Sequence, residues 1–321
     1  MSSGEEGSRA IVAALLANLG IALSKFAAFL VTGSSSMLSE SVHSLADTGN
    51  QVLLLFGRRQ SRRQADEEHP FGYGQDRYFY AFVVAVVLFS LGSLFAVYEG
   101  YEKIRHPHPL DKPAIAIGVL VVAMVLEGFS FRTAHREAGR IRRGARWVDY
   151  LRRSKAPELP VVLLEDSAAL VGLLFALAGV TLSILTDNGR WDGIGSLAIG
   201  AVLGVVAVFL AVEMKSLLIG EAGSPTVVGR IRGALVDGER VTHVIHLRTM
   251  HLGPEEVLVG AKVALAPGLD MVGVAAAIDD AERRVREAEP LAKVIYVEPD
   301  LYRAHLASGA RATPGAGATA T

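Results

Sequence analysis

Six long apolar stretches separated by polar connections dominate the sequence. Each is close to or longer than the roughly 20 residues that an α-helix needs to cross a bilayer. The stretches are Arg9 to Val31, Met37 to Phe56, Tyr78 to Ile104, Ala114 to His135, Leu159 to Leu185 and Ile194 to Leu217. Because 51% of the 321 residues are hydrophobic, we predict a multi-pass α-helical membrane protein with six transmembrane helices over residues 1–220.

Positive charge is distributed unevenly over the connections. Within residues 1–220, the connections after the second and fourth stretches hold most of the arginines: Arg58, Arg59, Arg62 and Arg63 in the first, and Arg132, Arg136, Arg140, Arg142, Arg143, Arg146, Arg152 and Arg153 in the second. By the positive-inside rule these connections and both termini are expected in the cytoplasm. We expect the protein to be located in the plasma (inner) membrane of a prokaryote. A net charge of -1 gives no reason to expect nucleic acid as a partner.

After Gly220 the pattern is that of a soluble domain. Apolar residues at helical spacing, then two runs rich in Val, Ile and Leu, a second helix and a last short strand predict the order α-β-β-α-β. The predicted elements are Val227 to Val236, Val241 to Met250, Val257 to Leu265, Met271 to Ala288 and Lys293 to Val297. We therefore expect a small cytoplasmic α/β domain over residues 221–305 and a disordered tail over residues 306–321.

An imidazole and a carboxylate lie four residues apart inside the second stretch, at His43 and Asp47. On a helix this spacing places both side chains on one face. A charged residue at the centre of a membrane helix costs roughly 2.5 to 3.5 kcal/mol on insertion scales, so such residues are usually kept for a function. We interpret the pair as ligands of a metal ion, although the same spacing is weak evidence when it stands alone.

Several motifs together resemble the cation diffusion facilitator family over residues 9–305. They are the segment Gly33 to Met37, the His43 and Asp47 pair, the segment His69 to Gly74, the six spans and the α/β domain. The resemblance is to the divergent ZnT9-like branch of the family. It implies a homodimer, joined partly through its soluble domains, that exchanges a divalent metal cation for protons. The resemblance also implies that the metal binds between the second and fifth spans.

The expected cargo is zinc (Zn²⁺), with manganese, iron or cobalt ions (Mn²⁺, Fe²⁺, Co²⁺) as the alternative. The expected mechanism is alternating access that exports metal from the cytoplasm. We expect no resident cofactor, and the expected partners are the metal ion, the lipid bilayer and a second copy of the chain. A non-transporting membrane metal sensor or scaffold is a further alternative. An enzyme is not expected, because no His-Glu-x-x-His helix and no nucleophile paired with a base is present.

The fifth span departs from the family pattern. The resemblance places its ligand positions at Ala169 and Leu173, which offer no ligand atom. Glu165 lies one turn before Ala169 on the same stripe, and Asp166 lies beside it, about 100° around the helix. The predicted metal ligands are therefore His43, Asp47, Glu165 and Asp166.

Other polar residues fall at a similar depth in the predicted bundle. Those expected to fill a remaining ligand position, support the ligands or relay protons are Asn18, Asn50, Gln51 and Glu127. For two of the acidic residues a purely structural role stays open. Glu165 could be a carboxylate favoured by the dipole of a helix N-terminus, and Glu127 could bridge to Asn18 or Lys25.

Two further polar segments are interpreted as structural. The residues around His69 form a turn more readily than a metal site. Asp192 and Ser196, at the start of the sixth span, are expected to form a helix cap rather than to bind metal. In the soluble domain, Tyr296 stands where the resemblance implies a histidine, so the metal pair of that domain is expected to be lost.

Overall fold

The computed structural model describes residues 19–107, 112–142, 144 and 146–302. The chain divides into two compact units, residues 1–219 and residues 220–321. The predicted segments Arg9 to Asn18 and 306–321 lie outside the described residues.

The first unit is helical. A long helix in its middle consists of two α-helical parts, α3 (Asp76–Val83) and α4 (Ser90–Arg105), joined by the π-helical segment Val84–Phe89. Its helices are α1 (Leu19–Thr32 in the described part), α2 (Ser35–Gln60), α3 (Asp76–Val83), α4 (Ser90–Arg105), α5 (Pro113–Ile141), α6 (Trp147–Arg153), α7 (Glu158–Thr186) and α8 (Arg190–Ile219).

Among the described residues, four helices could cross a membrane by length and composition: Asp76–Arg105, Pro113–Ile141, Glu158–Thr186 and Arg190–Ile219. The structure thus contains a helical unit of membrane type. The predicted second stretch is also helical, as the 26 residues of α2. It is more polar than the other four, because it carries Glu40, His43 and Asp47 among its buried residues.

Close helix packing depends on small residues. Gly100 of α4 faces Gly193 of α8, and a Cβ atom added at Gly100 would lie 2.6 Å from the Gly193 carbonyl oxygen. Small residues at such crossings let two helix backbones approach within a membrane. Large apolar side chains, including Leu120, Leu173 and Leu203, fill the remaining interior.

The arginine-rich connection contains structure that the sequence analysis did not predict. It contains the short helix α6, whose Tyr150 packs with Ala134 and Ala138 of α5. The Trp147 ring lies 4.3 Å from the His135 ring. The π-helical segment in the long helix was not predicted either; π-helical turns are rare and occur frequently at functional sites.

The second unit contains a three-stranded sheet in the order β1-β2-β3, so the small sheet expected after Gly220 is present. Strands β1 and β2 are antiparallel, and β2 and β3 are parallel. The elements are α9 (Pro225–Leu235), β1 (Val241–Gly253), β2 (Glu256–Leu265), α10 (Met271–Ala288) and β3 (Ala292–Asp300). Side-chain caps from Ser224 and Asp270 begin the two helices.

Candidate metal centre

Acidic side chains from three helices converge on one small cavity in the helical unit. Its volume is about 10 Å³, which is close to the space that a single water molecule needs. The carboxylates that line it are Asp47 of α2, Glu127 of α5, and Glu165 and Asp166 of α7. Ile21, Ser44 and Ser130 complete the wall. The site therefore concentrates negative charge in a space that fits one small ion.

His43 and Asp47 lie together, as their spacing predicted. The Nδ1 atom of His43 is 3.3 Å from Oδ1 of Asp47, and both side chains are buried. Asp47 faces the cavity, whereas His43 is not among the residues that line it. The imidazole thus stands behind the carboxylate in this arrangement.

The two acidic residues of α7 have different neighbours. Asp166 accepts a hydrogen bond from the Ser130 hydroxyl at 3.1 Å. The Glu165 side chain is hydrogen-bonded to Asn50 of α2. Asn50 therefore contacts a predicted ligand. By contrast, Gln51 is half-buried and does not line the cavity.

Asn18 lies outside the described residues. Ala169 and Leu173 are both buried, and Leu173 belongs to the apolar core of the helical unit. Since neither side chain carries a ligand atom, Glu165 and Asp166 are the acidic groups that α7 contributes to the cavity.

Several ligand-type atoms of the site are buried without a hydrogen-bond partner among the described residues. They are Nε2 of His43, Oδ1 of Asp47, Oδ1 of Asn50 and Oε2 of Glu165. Leaving such a group unpaired costs about 1 to 3 kcal/mol, and more for a charged one. Yet nowhere in the described ranges are three or more His, Asp or Glu side chains arranged so that they could hold a metal ion. Binding an ion would require these side chains to close around it.

Sequence reasoning missed a buried ion pair beside the cavity. The Lys25 ammonium donates to Oε2 of Glu40 at 3.1 Å and to the Ser44 hydroxyl at 2.7 Å. Glu40 lies three residues before His43 and seven before Asp47, so helical spacing could have added it to the polar stripe of α2. Its partner lies on another helix, which spacing within α2 cannot identify. Among the described residues, these two hydrogen bonds of Lys25 join α1 to α2.

Asp192 acts as a cap, but for α2 rather than for its own helix. Its carboxylate accepts hydrogen bonds from the Ser34 hydroxyl at 2.8 Å and from the Ser35 amide at 2.7 Å. The Ser35 hydroxyl and the Ser36 amide also donate to it. A carboxylate at this position satisfies free amides of the helix N-terminus and interacts favourably with the helix dipole.

The segment around His69 forms the turn that was expected. The Asp66 carboxylate accepts hydrogen bonds from the His69 amide and from the Tyr73 hydroxyl, each at 2.7 Å. The hydrogen bond from Tyr73, followed by that from the His69 amide, lowers the pKa of Asp66. These bonds occupy the carboxylate within the turn.

The helical unit with its buried acidic cavity, joined to a small α/β unit, defines a multi-pass membrane protein with an internal ion-sized site. The sequence profile of the cation efflux transmembrane domain matches residues 11–219. The chain belongs to the cation diffusion facilitator family, in its ZnT9-like branch. This is a family of transporters rather than of enzymes.

Two eukaryotic relatives cover most of the chain. The "Proton-coupled zinc antiporter SLC30A9, mitochondrial" of Xenopus laevis is 35% identical over 74% of this chain and 43% of its own length. "Metal tolerance protein C4" of Arabidopsis thaliana is 31% identical over 78% of this chain and 55% of its own length. The chain therefore spans about half of these relatives or less.

A bacterial relative matches a shorter part. The "Cation-efflux pump FieF" of Yersinia pestis is 39% identical over 36% of this chain and 38% of its own length.

The expected location in the plasma membrane of a prokaryote is wrong. Relatives from Xenopus laevis, Mus musculus and Homo sapiens, each covering 74% of the chain, are named as mitochondrial proteins. The positive-inside rule orients a chain within a membrane but carries no information about which membrane that is.

Proposed function

We propose that the chain is a divalent metal cation/proton antiporter with zinc as its cargo. The observation that carries this proposal is the cavity of about 10 Å³ at which carboxylates from α2, α5 and α7 meet inside the helical unit. Membership of a metal transporter family supports it. The names "proton-coupled zinc antiporter" and "cation-efflux pump" of the relatives support both the cargo and the coupling.

The proposed ligands are Asp47, Glu165 and His43, with Asp166 at the remaining position. Three atoms that make no hydrogen bond within the described part of the chain, Oδ1 of Asp47, Oε2 of Glu165 and Nε2 of His43, are chemically suited to a divalent ion. A small closing movement of α2 against α7 would bring them onto one ion. Asn50 would orient Glu165, and Glu127 would serve as a proton acceptor beside the cavity.

Charge provides the coupling. A divalent ion that leaves water needs nearby carboxylates, whereas a site emptied of its ion cannot keep several crowded carboxylates ionised in a low-dielectric interior. Protons would therefore bind to the carboxylates as the metal leaves and dissociate as metal binds. Alternating exposure of the cavity to the two sides would turn this competition into exchange transport.

The ligand set also bears on the choice of metal. A site with one imidazole and several carboxylates is richer in oxygen than a site with two imidazoles, which weakens discrimination in favour of zinc against manganese or iron. We propose zinc as the cargo because the relatives that cover most of the chain include zinc antiporters. Manganese, iron and cobalt remain the competing ions of the test.

We further propose six spans, with α1 and α2 added to the four long apolar helices, and a homodimer. Exposed apolar side chains on the α/β unit, among them Ile245, Tyr296 and Tyr302, support its role in dimerisation. We propose export from the compartment that faces the arginine-rich connections.

The test is metal uptake into proteoliposomes under an imposed pH gradient, with zinc, manganese, iron(II) and cobalt offered separately. Asp47→Ala and Glu165→Ala are each expected to lower uptake at least about 100-fold, since each removes a ligand. Glu102→Ala, which changes an exposed carboxylate at the end of α4, is the matched control and should transport as the parent does.

Each other result redirects the proposal. Uptake that survives Glu165→Ala would move the site toward Asp166 and Glu127. Uptake that does not depend on the pH gradient would contradict antiport. Binding of metal without any flux would favour the non-transporting sensor or scaffold.

A further inference from the structure

A lysine is buried inside the helical unit, and the proposed transport cycle does not yet use it. Lys25 of α1 and Glu40 of α2 form an ion pair with an Nζ to Oε2 distance of 3.1 Å, and both side chains are fully shielded from solvent. A buried ion pair is a poor source of stability, because desolvation of the two charges offsets their attraction. Its presence at membrane depth therefore calls for a functional explanation.

The ammonium lies directly behind the wall of the acidic cavity. Ser44 accepts a hydrogen bond from Nζ at 2.7 Å and is itself one of the residues that line the cavity. Lys25 is also close enough to interact electrostatically with Asp47 and Glu127. The Ser44 hydroxyl thus lies between the Lys25 ammonium and the carboxylates proposed to bind metal.

The charges around this lysine are predominantly negative. The titratable groups near it or around the cavity are Glu40, His43 and Asp47 on α2, Glu127 on α5, and Glu165 and Asp166 on α7. A single ammonium among so many carboxylates can compensate only part of their charge. The position of the Lys25 ammonium, near Glu40 or nearer the cavity, therefore determines which carboxylates have their negative charge compensated.

The Glu40 end of the pair is only partly satisfied. Oε2 of Glu40 holds the ammonium, whereas Oε1 has no hydrogen-bond partner among the described residues. Gly172 of α7 makes room for this carboxylate, since a Cβ atom there would lie 2.5 Å from Oε1. Lys25 has a flexible four-carbon stem and three donors. One carboxylate oxygen of Glu40 and one hydroxyl therefore hold the ammonium by hydrogen bonds.

We propose that Lys25 is a tethered counter-cation of the metal site. Its ammonium remains on Glu40 while metal occupies the cavity, and it moves past Ser44 toward Asp47 and Glu127 once the metal has left. The emptied carrier would then change conformation while the Lys25 ammonium compensates part of the negative charge of the site. This inference rests on the proposed antiport.

The two modes of transport separate this role from a structural one. Net uptake requires the emptied carrier to change conformation, whereas exchange of zinc inside for zinc outside can proceed with the site loaded at each crossing. A counter-cation that acts only on the emptied site affects net uptake more than exchange. A lysine that merely holds α1 against α2 affects both modes alike.

The experiment compares pH-driven net zinc uptake with zinc-for-zinc exchange in proteoliposomes, using labelled zinc. Lys25→Met, which removes the charge and keeps most of the volume, is expected to raise the ratio of exchange to net uptake at least about tenfold, because the emptied carrier loses its counter-charge. Lys25→Arg, which keeps a cation, is expected to restore part of the net uptake.

Lys103→Met is the matched control. Lys103 is also buried, but it donates to the Gly33 carbonyl oxygen at 3.0 Å and lies outside the cavity wall. Its substitution should leave the ratio of the two modes as in the parent. A similar rise in the ratio for Lys103→Met would overturn the proposal, because any buried lysine would then suffice.

Misfolding is handled by a second variant. Lys25→Met leaves Glu40 without its cation, so the double variant Lys25→Met/Glu40→Gln removes both charges and should show the same raised ratio. An unchanged ratio in a folded variant would overturn the proposal, and so would a double variant that fails to fold, since the pair would then be structural. If the parent chain shows neither mode, it is the proposed antiport that fails.

Discussion

The two halves of helix α2 treat buried polar groups in opposite ways. At its beginning, which we call the anchored end and define as Ser34 to Ser39, the Asp192 carboxylate accepts hydrogen bonds from Ser34, Ser35 and Ser36. The Ser36 hydroxyl donates to the Asp192 carbonyl oxygen at 2.8 Å. Ser39 is hydrogen-bonded to Ser196. The polar groups of this end thus hold α2 against α8.

The following turns, which we call the open middle and define as His43 to Asn50, contain buried polar atoms that make no hydrogen bond to any described residue, although Oδ1 of Asp47 lies 3.3 Å from Nδ1 of His43. His43, Asp47 and Asn50 each have one such atom. The same helix therefore satisfies its polar groups where it is anchored and leaves them unsatisfied beside the cavity. In a buried setting an unpaired group costs stability, and a site kept at that cost indicates that function rather than folding selects it.

The largest expected effect comes from breaking the anchored end. Asp192→Asn replaces one acceptor oxygen by an amide group that would face donors, and it removes a charge at the N-terminus of α2. We expect a loss of about 3 kcal/mol in the free energy of unfolding, because hydrogen bonds to a buried charged group are among the stronger ones. Thermal unfolding of the protein in lipid nanodiscs, followed by tryptophan fluorescence, measures the loss.

Asp187→Asn is the control for this change. Asp187 is exposed at the end of α7 and has a φ of 48°, a conformation that asparagine tolerates well. Its midpoint temperature should match that of the parent. If Asp192→Asn had the same midpoint temperature of unfolding as Asp187→Asn, the distinction between the two halves of α2 would be lost.

The same substitution in the open middle should have the opposite sign. Asp47→Asn removes a buried carboxylate that has an unpaired oxygen, and we expect a gain of about 1 kcal/mol in the free energy of unfolding. Zinc uptake should fall although the protein becomes more stable. If Asp47→Asn destabilises the chain as Asp192→Asn does, the open middle is a structural element and the comparison fails.

Sequence reasoning located the open middle because its signal is local. Spacing along a helix predicted the contact between His43 and Asp47. The family resemblance, combined with helical spacing, selected Glu165 and Asp166, which line the cavity. Spacing could not choose between Asn50 and Gln51. Both lie on the face of Asp47, three and four residues on, and only the position of α7 selects Asn50 as the partner of Glu165.

The anchored end could not be predicted in the same way. Asp192 contacts residues of α2 that lie 156 to 158 positions earlier in the chain, and no local pattern specifies such a pairing. Lys25 and Glu40 are likewise joined across two helices. The six apolar stretches predicted where helices form, but hydropathy carries no information on which polar side chain of one helix meets which of another.

The smallest expected effect extends the comparison to a hydrogen-bonded carboxylate in the second unit. Oδ1 of Asp237 accepts hydrogen bonds at 2.8 to 2.9 Å from the amides of Glu239, Arg240 and Val241. Partial burial raises the pKa of Asp237, but these hydrogen bonds and the charge of Arg284 lower it by more, so that the net pKa lies below its usual value.

Because the pKa of Asp237 is lower in the folded than in the unfolded state, its carboxylate stabilises the folded state above the unfolded pKa of about 4. This stabilisation is lost as the pH falls through the folded pKa. Asp237→Asn should therefore cost about 1 kcal/mol at neutral pH and progressively less in acid. Calorimetry of the parent chain and of Asp237→Asn, at neutral and at acidic pH, measures this cost in the free energy of unfolding. A cost that grows in acid would show that Asp237 is not held as a carboxylate, unlike the anchored Asp192.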